Sequence, residues 1–187
     1  MKTEANHMEY IDILDEKGNK TGESKPKPDI HRGGDWHRAV HLWLLNSKGE
    51  FLLQHRSKTI DSYPDFWDTS AAGHISLGEE SIPSTLREAK EELGIQLKPD
   101  QLILIGEVTQ QIVLNDNTYF NNEFNDIYLV KMDIDSSLIK LEDGEVSEVK
   151  WIHWKDLKKM IETGGEGLVP HPEEYDLLFK YCDKELT

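Results

Sequence analysis

Cysteine is nearly missing from this chain of 187 residues. Cys182 is the single one, which excludes an internal disulfide and a cysteine metal cluster and makes a reducing, cytoplasmic setting the expectation. Long apolar runs are missing too: nothing approaches the roughly 20 residues that cross a bilayer, so no membrane partner is expected. Met1 to Tyr10 carries no apolar stretch after its lysine and does not read as a secretory signal. Positive charge is scarce, with 21 Lys and Arg against 36 Asp and Glu, a formal net charge of -15. Nucleic-acid polymers are held mainly by Lys and Arg that displace counterions, so such a partner is not expected, and a phosphate-bearing ligand would have to be handled locally. The deficit is uneven. Residues 1 to 60 hold ten basic and nine acidic residues, which leaves the whole excess of negative charge in residues 61 to 187.

What is present reads as strands with a few helices. Ile11 and Ile13 alternate with polar residues before the turn Lys17-Gly18-Asn19, which predicts a short N-terminal hairpin. Ser24 to Gly34, with Pro26, Pro28, Gly33 and Gly34, reads as loop. His37 to Leu45 and Phe51 to His55 flank the turn signal Asn46-Ser47-Lys48-Gly49 and form the clearest predicted hairpin. A short strand is expected at Trp67 to Ala72, and a helix from Ser81-Ile82-Pro83 to its stop at Gly94. Leu102 to Leu114 and Tyr119 to Met132 read as a strand pair, Val146 to Trp154 as a strand, and Lys155 to Glu162 and Pro172 to Glu185 as amphipathic helices. No repeat or low-complexity tract interrupts this order, and the class expected is α+β in one domain spanning 1–187.

Chemistry concentrates between Gly73 and Ile95, in GHISLGEESIPSTLREAKEELGI. At about 100° per residue, Glu88, Glu91 and Glu92 fall within one arc, while Ile82, Leu86, Ala89 and Leu93 fall opposite. Three neighbouring carboxylates repel, so the cluster calls either for Arg87, four residues before Glu91, or for a hard divalent cation with a taste for oxygen. Taken alone, three glutamates on a helix more often form a solvated face. The spacing of Gly73, Glu79, Arg87, Glu88, Glu91, Glu92, Gly94 and Ile95 overturns that reading, because it resembles the signature of the MutT-like Nudix hydrolase family at every charged and glycine position. The flanking segments HRGGDWHRAVHLWLLNSKGEFLLQHRS, YPDFWDTSAAGH and NNEFNDIYLV resemble the subgroup related to isopentenyl-diphosphate isomerase.

That resemblance implies a Nudix α-β-α sandwich with a mixed sheet: an N-terminal extension over 1–35 with its β-hairpin, a core over 36–165 and a C-terminal helix over 166–187. It implies hydrolysis of a diphosphate linkage in a small substrate, with Mg²⁺ or Mn²⁺ as cofactor. Glu88, Glu91 and Glu92 would be metal ligands, with Glu79 in a supporting or water-mediated place and a backbone carbonyl at Ala72 or Gly73 helping. Arg87 would hold the glutamates, and the general base would be Glu88 or Glu123. Arg56, Arg38 and Lys58 are the candidate anion hooks, with His74 beside them. The related isomerases carry a cysteine directly before the Gly-His pair. Here that residue is Ala72, so their proton chemistry lacks its thiol. Their histidines also bind a metal, but the spacing from His31 to His37 is one residue short and Asn121 stands where a carboxylate is expected, which counts against a complete second metal site. Among the aromatics, Trp43 and Trp67 are assigned to the core, and Trp36 and Phe66 could cover a substrate. The rival readings are isomerase activity and a non-catalytic sensor of a metal-nucleotide complex; a homodimer is common in the subgroup.

Overall fold

The structure, a computed structural model, describes residues 8–141 and 144–186. The alternation around Ile11 and Ile13 produces the expected hairpin, β1 (Tyr10–Leu14) and β2 (Lys20–Pro26), closed by Asp15, whose side chain accepts from the backbone N–H groups of Lys17 and Asn19. The segment read as loop behaves otherwise. β2 runs through Ser24 to Pro26, and Pro28 then sits in the first turn of a short helix, α1 (Lys27–Gly33), that stops at Gly34 with φ 70°.

β3 (Trp36–Leu45) is the hub of the sheet. It pairs in parallel with β8 (Tyr119–Lys131) from Trp36↔Asn122 to Leu45↔Lys131, and antiparallel with β6 (Ala71–His74) from Ala39↔His74 to Leu42↔Ala71. β7 (Ile103–Leu114) forms the expected pair with β8. The predicted hairpin of β3 with β4 (Glu50–Arg56) is corrected: its turn exists, but the two strands register only at Leu45↔Phe51 and then part. β4 pairs instead with β9 (Val146–His153) and with the two-residue β5 (Trp67–Asp68). The gap is closed by side chains. Ser70 Oγ accepts from Leu44 N and donates to the Leu52 carbonyl, while Thr69 Oγ1 donates to the Leu42 carbonyl, so buried hydroxyls replace ladder bonds that the parted strands no longer make.

Helices cover both faces of this mixed sheet, as an α+β sandwich requires. Val40, Leu42 and Leu44 of β3 pack with Leu52, Tyr128 and Val130 against Ala89 and Leu93 of α2 (Ser81–Leu93). Trp43 and Leu45 point the other way. They join Phe51, Ile127 and Leu129 against Leu157 of α3 (Trp154–Glu162) and Leu178, Phe179 and Cys182 of α4 (Pro172–Glu185). Each large apolar side chain so buried contributes about 1.5–3 kcal/mol. No helix among the described residues is long and apolar enough to cross a membrane.

α2 ends where the sequence puts its stop. Gly94 takes φ 66°, and its N–H bonds back to the carbonyls of Ala89 and Lys90. A Cβ there would stand 2.9 Å from Lys140 Cβ. Gly94→Ala should therefore cost about 1–2 kcal/mol of stability, since left-handed backbone and a close contact both oppose it. The readout is a lower urea midpoint with an unchanged m-value.

Candidate active site

Where β3 and β4 part, a cavity of about 520 Å³ opens. Its walls bring together Ala39 and His41 of β3, Gln54 and Arg56 of β4, Ala72 to His74 of β6, Glu92 of α2, Glu123 of β8 and, from the segment before α4, His171. The distribution of charge inside is the informative feature.

The expected split of α2 into an apolar face and a glutamate face is corrected. Ile82 is 40% exposed, whereas Thr85, Glu88, Ala89, Glu92 and Leu93 are buried, so two of the carboxylates share the packed side of the helix. Glu92 Oε2 accepts a 2.9 Å hydrogen bond from Ala72 N. Glu88 lies against Gly73, and its carboxylate occupies the space that a Cβ would fill there, so the glycine is demanded by close approach. Burial pushes the Glu88 carboxyl up to about 7 against the pull of Arg87, and burial together with Glu88 pushes Glu92 well above the carboxylate range. Two adjacent carboxyls that ionise with difficulty fit a divalent cation, which would relieve both the burial and the mutual repulsion. Glu91 and Glu79 sit farther out and do not line the cavity. Arg87 bonds Glu88 at 2.7 Å, Glu91 at 3.0 Å, Glu79 at 3.3 Å and the His74 carbonyl at 2.9 Å, tying α2 to β6. Glu79 also accepts from Ser84 Oγ, while Glu80 occupies the helix N-cap position.

At the other side stand three histidines. The short spacing from His31 to His37 does not separate them, because the unforeseen α1 turns His31 inward. Candidate ligand atoms of His31, His37 and His74 lie within 4.8 Å of one another. His31 Nδ1 faces the Phe120 carbonyl and His37 Nδ1 the Asp35 carbonyl, which fixes both with Nε2 directed inward. His37 Nε2 is 3.2 Å from Glu123 Oε1 and His74 Nε2 3.5 Å from it. His31 Nε2, both His74 nitrogens and Asn121 Oδ1 are buried without hydrogen-bond partners. Burial lowers His31 to about 4, with help from His37, and His74 to about 3, with help from Lys27. Burial opposes the charge on Glu123, but the hydrogen bond with His37, helped by the His74 ring 3.5 Å away, holds it well below its ordinary range. The neutral imidazoles of His31 and His74 beside an ionised carboxylate, with nitrogens left orphaned, suit a transition metal. Tyr119 stacks on His31 at 4.4 Å and closes this end.

The inner wall is a chain of hydrogen-bonded side chains of which sequence reasoning found only Arg56. Glu174, 1% exposed, accepts from His41 Nδ1 at 2.8 Å and from Trp43 Nε1 at 2.6 Å. His171 Nε2 meets Asp68 Oδ1 at 2.9 Å, and Asp68 Oδ2 accepts from Arg56 Nη1 at 2.9 Å. Burial works against a charge on His41, but Glu174 outweighs it and takes the imidazole up to about 9. Asp68 and Glu174 are both lowered despite burial, Asp68 first by the His171 hydrogen bond and Glu174 first by the charge of His41. The signal for this wall was a histidine inside the otherwise apolar stretch from Ala39 to Leu45, two residues before Trp43. Its partners come from residues 68, 171 and 174, beyond the reach of any local motif.

Of the predicted anion hooks, only Arg56 lines the cavity. Arg38 is turned away and held by Glu107 and Asp126, and Lys58 is an exposed residue beside Asp65 at 3.5 Å, so the structure corrects both. Trp43 is fully buried core, Trp36 packs on Phe124, and Trp67 lies 3.6 Å under Lys150.

A mixed sheet between helices, with a glutamate-bearing helix laid against a glycine-containing strand at the cavity wall, is the arrangement expected of the Nudix sandwich. The family model "NUDIX domain" matches residues 35–171, and the chain belongs to the Nudix hydrolase family. It is 42% identical over 176 residues to Nudix hydrolase 3 of Arabidopsis thaliana, an alignment that covers 91% of this chain but 23% of that protein, so the chain spans about a quarter of that relative. It is 24% identical to the isopentenyl-diphosphate Delta-isomerase of Cutibacterium acnes, covering 94% of this chain and 89% of that one. Among solved structures it resembles DR0079 from Deinococcus radiodurans, with TM-score 0.67, 21% identity and coverage of 92% and 99%, a likeness of fold.

Two outcomes follow from these contacts. Gly73→Ala should displace the Glu88 carboxylate and weaken divalent-metal binding at least tenfold by calorimetry, while a control Gly78→Ala, where a Cβ meets open space and only the φ of 77° opposes it, leaves binding intact. The His41–Glu174 pair sets a pH dependence. A base whose folded pKa is raised from 6.5 to about 9 stabilises fully below the lower value and loses that contribution as pH rises through the upper one. Urea unfolding at pH values spanning that window should show stability falling as pH rises, and Glu174→Gln should flatten the slope.

Proposed function

We propose that the chain is a hydrolase that uses Mg²⁺ or Mn²⁺ to cleave the diphosphate linkage of a nucleoside-diphosphate-linked or similarly small substrate. The observation that carries this reading is the buried pair Glu88 and Glu92, set against Ala72 and Gly73 on the wall of a cavity that Arg56 also lines. Glu88, Glu92 and the Ala72 carbonyl would hold the cation, with Glu91 and Glu79 behind them through Arg87. When bound, the cation polarises the phosphoryl oxygens and lowers the pKa of water.

The chain's own groups do the rest. Arg56 supplies a planar, permanently charged fork for a phosphoryl oxygen while Asp68 holds it in place. Glu123 lines the cavity and Glu88 does not, so Glu123 is the better placed of the two to take a proton from a water there. Water attacks phosphorus, the bond from phosphorus to the bridging oxygen breaks, and two phosphate-bearing products leave. Nothing covalent is asked of the protein.

The histidine cluster is the one observation that favours isomerase-like metal binding, since the resemblance assigns such a site to that branch. Ala72 in place of the thiol weighs against rearranging a double bond. Turnover of a panel of nucleoside-diphosphate derivatives, together with isopentenyl diphosphate, separates the readings. The hydrolase reading expects metal-dependent release of phosphate-bearing products, no allylic isomer, and a loss on the order of 100-fold or more in kcat/KM for Glu92→Gln. Turnover indifferent to chelation or to Glu92→Gln would sink it.

A further inference from the structure

The inner wall carries a site for which the family signature provides no residue. Its centre is His41. Hydrogen-bonding to Glu174 uses the Nδ1 position, and Glu174 does not itself line the cavity, so the carboxylate stands behind the ring. The ring's remaining nitrogen, Nε2, has no hydrogen-bond partner among the described residues, and His41 is one of the cavity-lining residues. An imidazole oriented by a buried carboxylate on one nitrogen and open on the other is directed at something in the cavity. A buried carboxylate 2.8 Å from Nδ1 favours the ring that bears a proton on both nitrogens, and Glu174 takes a second N–H from Trp43, which leaves that carboxylate unable to turn toward the cavity.

The neighbours say what is directed there. His171 packs edge-on to His41 with ring centroids 5.0 Å apart and bonds Asp68, and Asp68 bonds Arg56. The wall thus repeats one arrangement twice, with a cationic donor in front and a carboxylate partner holding it. A cation would find little there, because Glu174 and Asp68 already accept from Trp43, His41, His171 and Arg56. An apolar tail would have to be buried against charged pairs at a cost of desolvation. An oxygen-rich anion matches both donors.

We propose that His41, through Nε2–H, is a substrate-binding residue that forms with Arg56 an anion subsite for a phosphoryl group of the substrate. The proposal rests on the hydrolase reading of the same cavity and adds to it a residue and a preference: the group at the inner wall is a phosphate and not a hydrocarbon.

The probe is methylenediphosphonate, which cannot be hydrolysed, titrated into the protein with saturating Mg²⁺ and followed by calorimetry and by imidazole ¹⁵N resonances. Saturable binding with a shift of the His41 Nε2 signal is expected. His41→Asn keeps an N–H near the place of Nδ1 for Glu174 but removes Nε2, and should raise Kd at least tenfold. His41→Gln, whose longer amide reaches toward the Nε2 position, should recover part of that loss. Wild-type binding with an unmoved His41 signal, an equal Kd in His41→Asn, or no binding at all would each overturn the proposal. If His41→Asn does not fold, the wild-type resonance and His41→Gln decide. Metal-dependent turnover that Glu92→Gln abolishes, with no response at His41, would remove the subsite and leave the hydrolase reading standing; probe binding at His41 without turnover of any diphosphate would do the reverse.

Discussion

The parting of β3 from β4 is the constraint on which the site depends. Two strands joined by a four-residue turn would normally zip along their length, and here they hold register at one pair, Leu45↔Phe51. Separation exposes backbone polar groups, which is tolerable only because Thr69 and Ser70 enter the gap and satisfy the carbonyls of Leu42 and Leu52 and the N–H of Leu44. Without that wedge the strands would close and the cavity would be filled by their own side chains. With it, β3 can take β6 and β8 as partners, and residues of β3, β4, β6, β8 and α2 converge on a shared space. The hydroxyls are as much a part of the site as any carboxylate, although they touch nothing in it.

The α2 helix illustrates how a functional demand overrides helical patterning. A helix of this amphipathic type would turn its leucines and isoleucine inward and leave the glutamates in water. Instead Ile82 lies toward solvent and Glu88 and Glu92 lie inside, at a cost visible in carboxyls that resist ionisation. Ala89 and Leu93 supply the apolar burial on which the helix depends, while Gly73 makes room for Glu88 and Arg87 ties the outer glutamates to the His74 carbonyl. The strain in this arrangement is electrostatic, and a divalent cation is the species that would release it.

How much of this was legible in the sequence follows from the range of each interaction. The hairpin at Asp15 to Asn19, the span of α2 and its glycine stop are set by contacts within a few residues, and their composition announced them. α1 was hidden because Pro26, Pro28, Gly33 and Gly34 read as breakers, when the prolines serve to start a helix and the glycines to end it. That one misreading also obscured the histidine cluster, since the separation of His31 from His37 has meaning only once the helix between is known. The family signature located Glu88, Arg87 and Glu92 but could not show that Arg38 spends its charge on Glu107 and Asp126. The His41 wall was the least legible, joining residues 41, 56, 68, 171 and 174 through tertiary contacts alone.

The scarcity of positive charge takes on a different meaning at the cavity. A net charge of -15 opposes phosphate ligands at long range, yet the wall holds the buried His41 and the half-buried Arg56 beside carboxylates that fix them. Pairing lowers the long-range field of each cation and preserves its short-range hydrogen bonds, so the site attracts little from a distance and binds only what reaches it. A polymer with a charge every few ångströms meets the repulsive surface first. On the proposed reading, a short diphosphate escorted by a divalent cation would arrive with most of its charge neutralised and would exchange water for the donors of Arg56 and His41 without first crossing a barrier of like charge. On that proposal the acidic surface and the paired cations would act in series as a filter for small, metal-complexed anions.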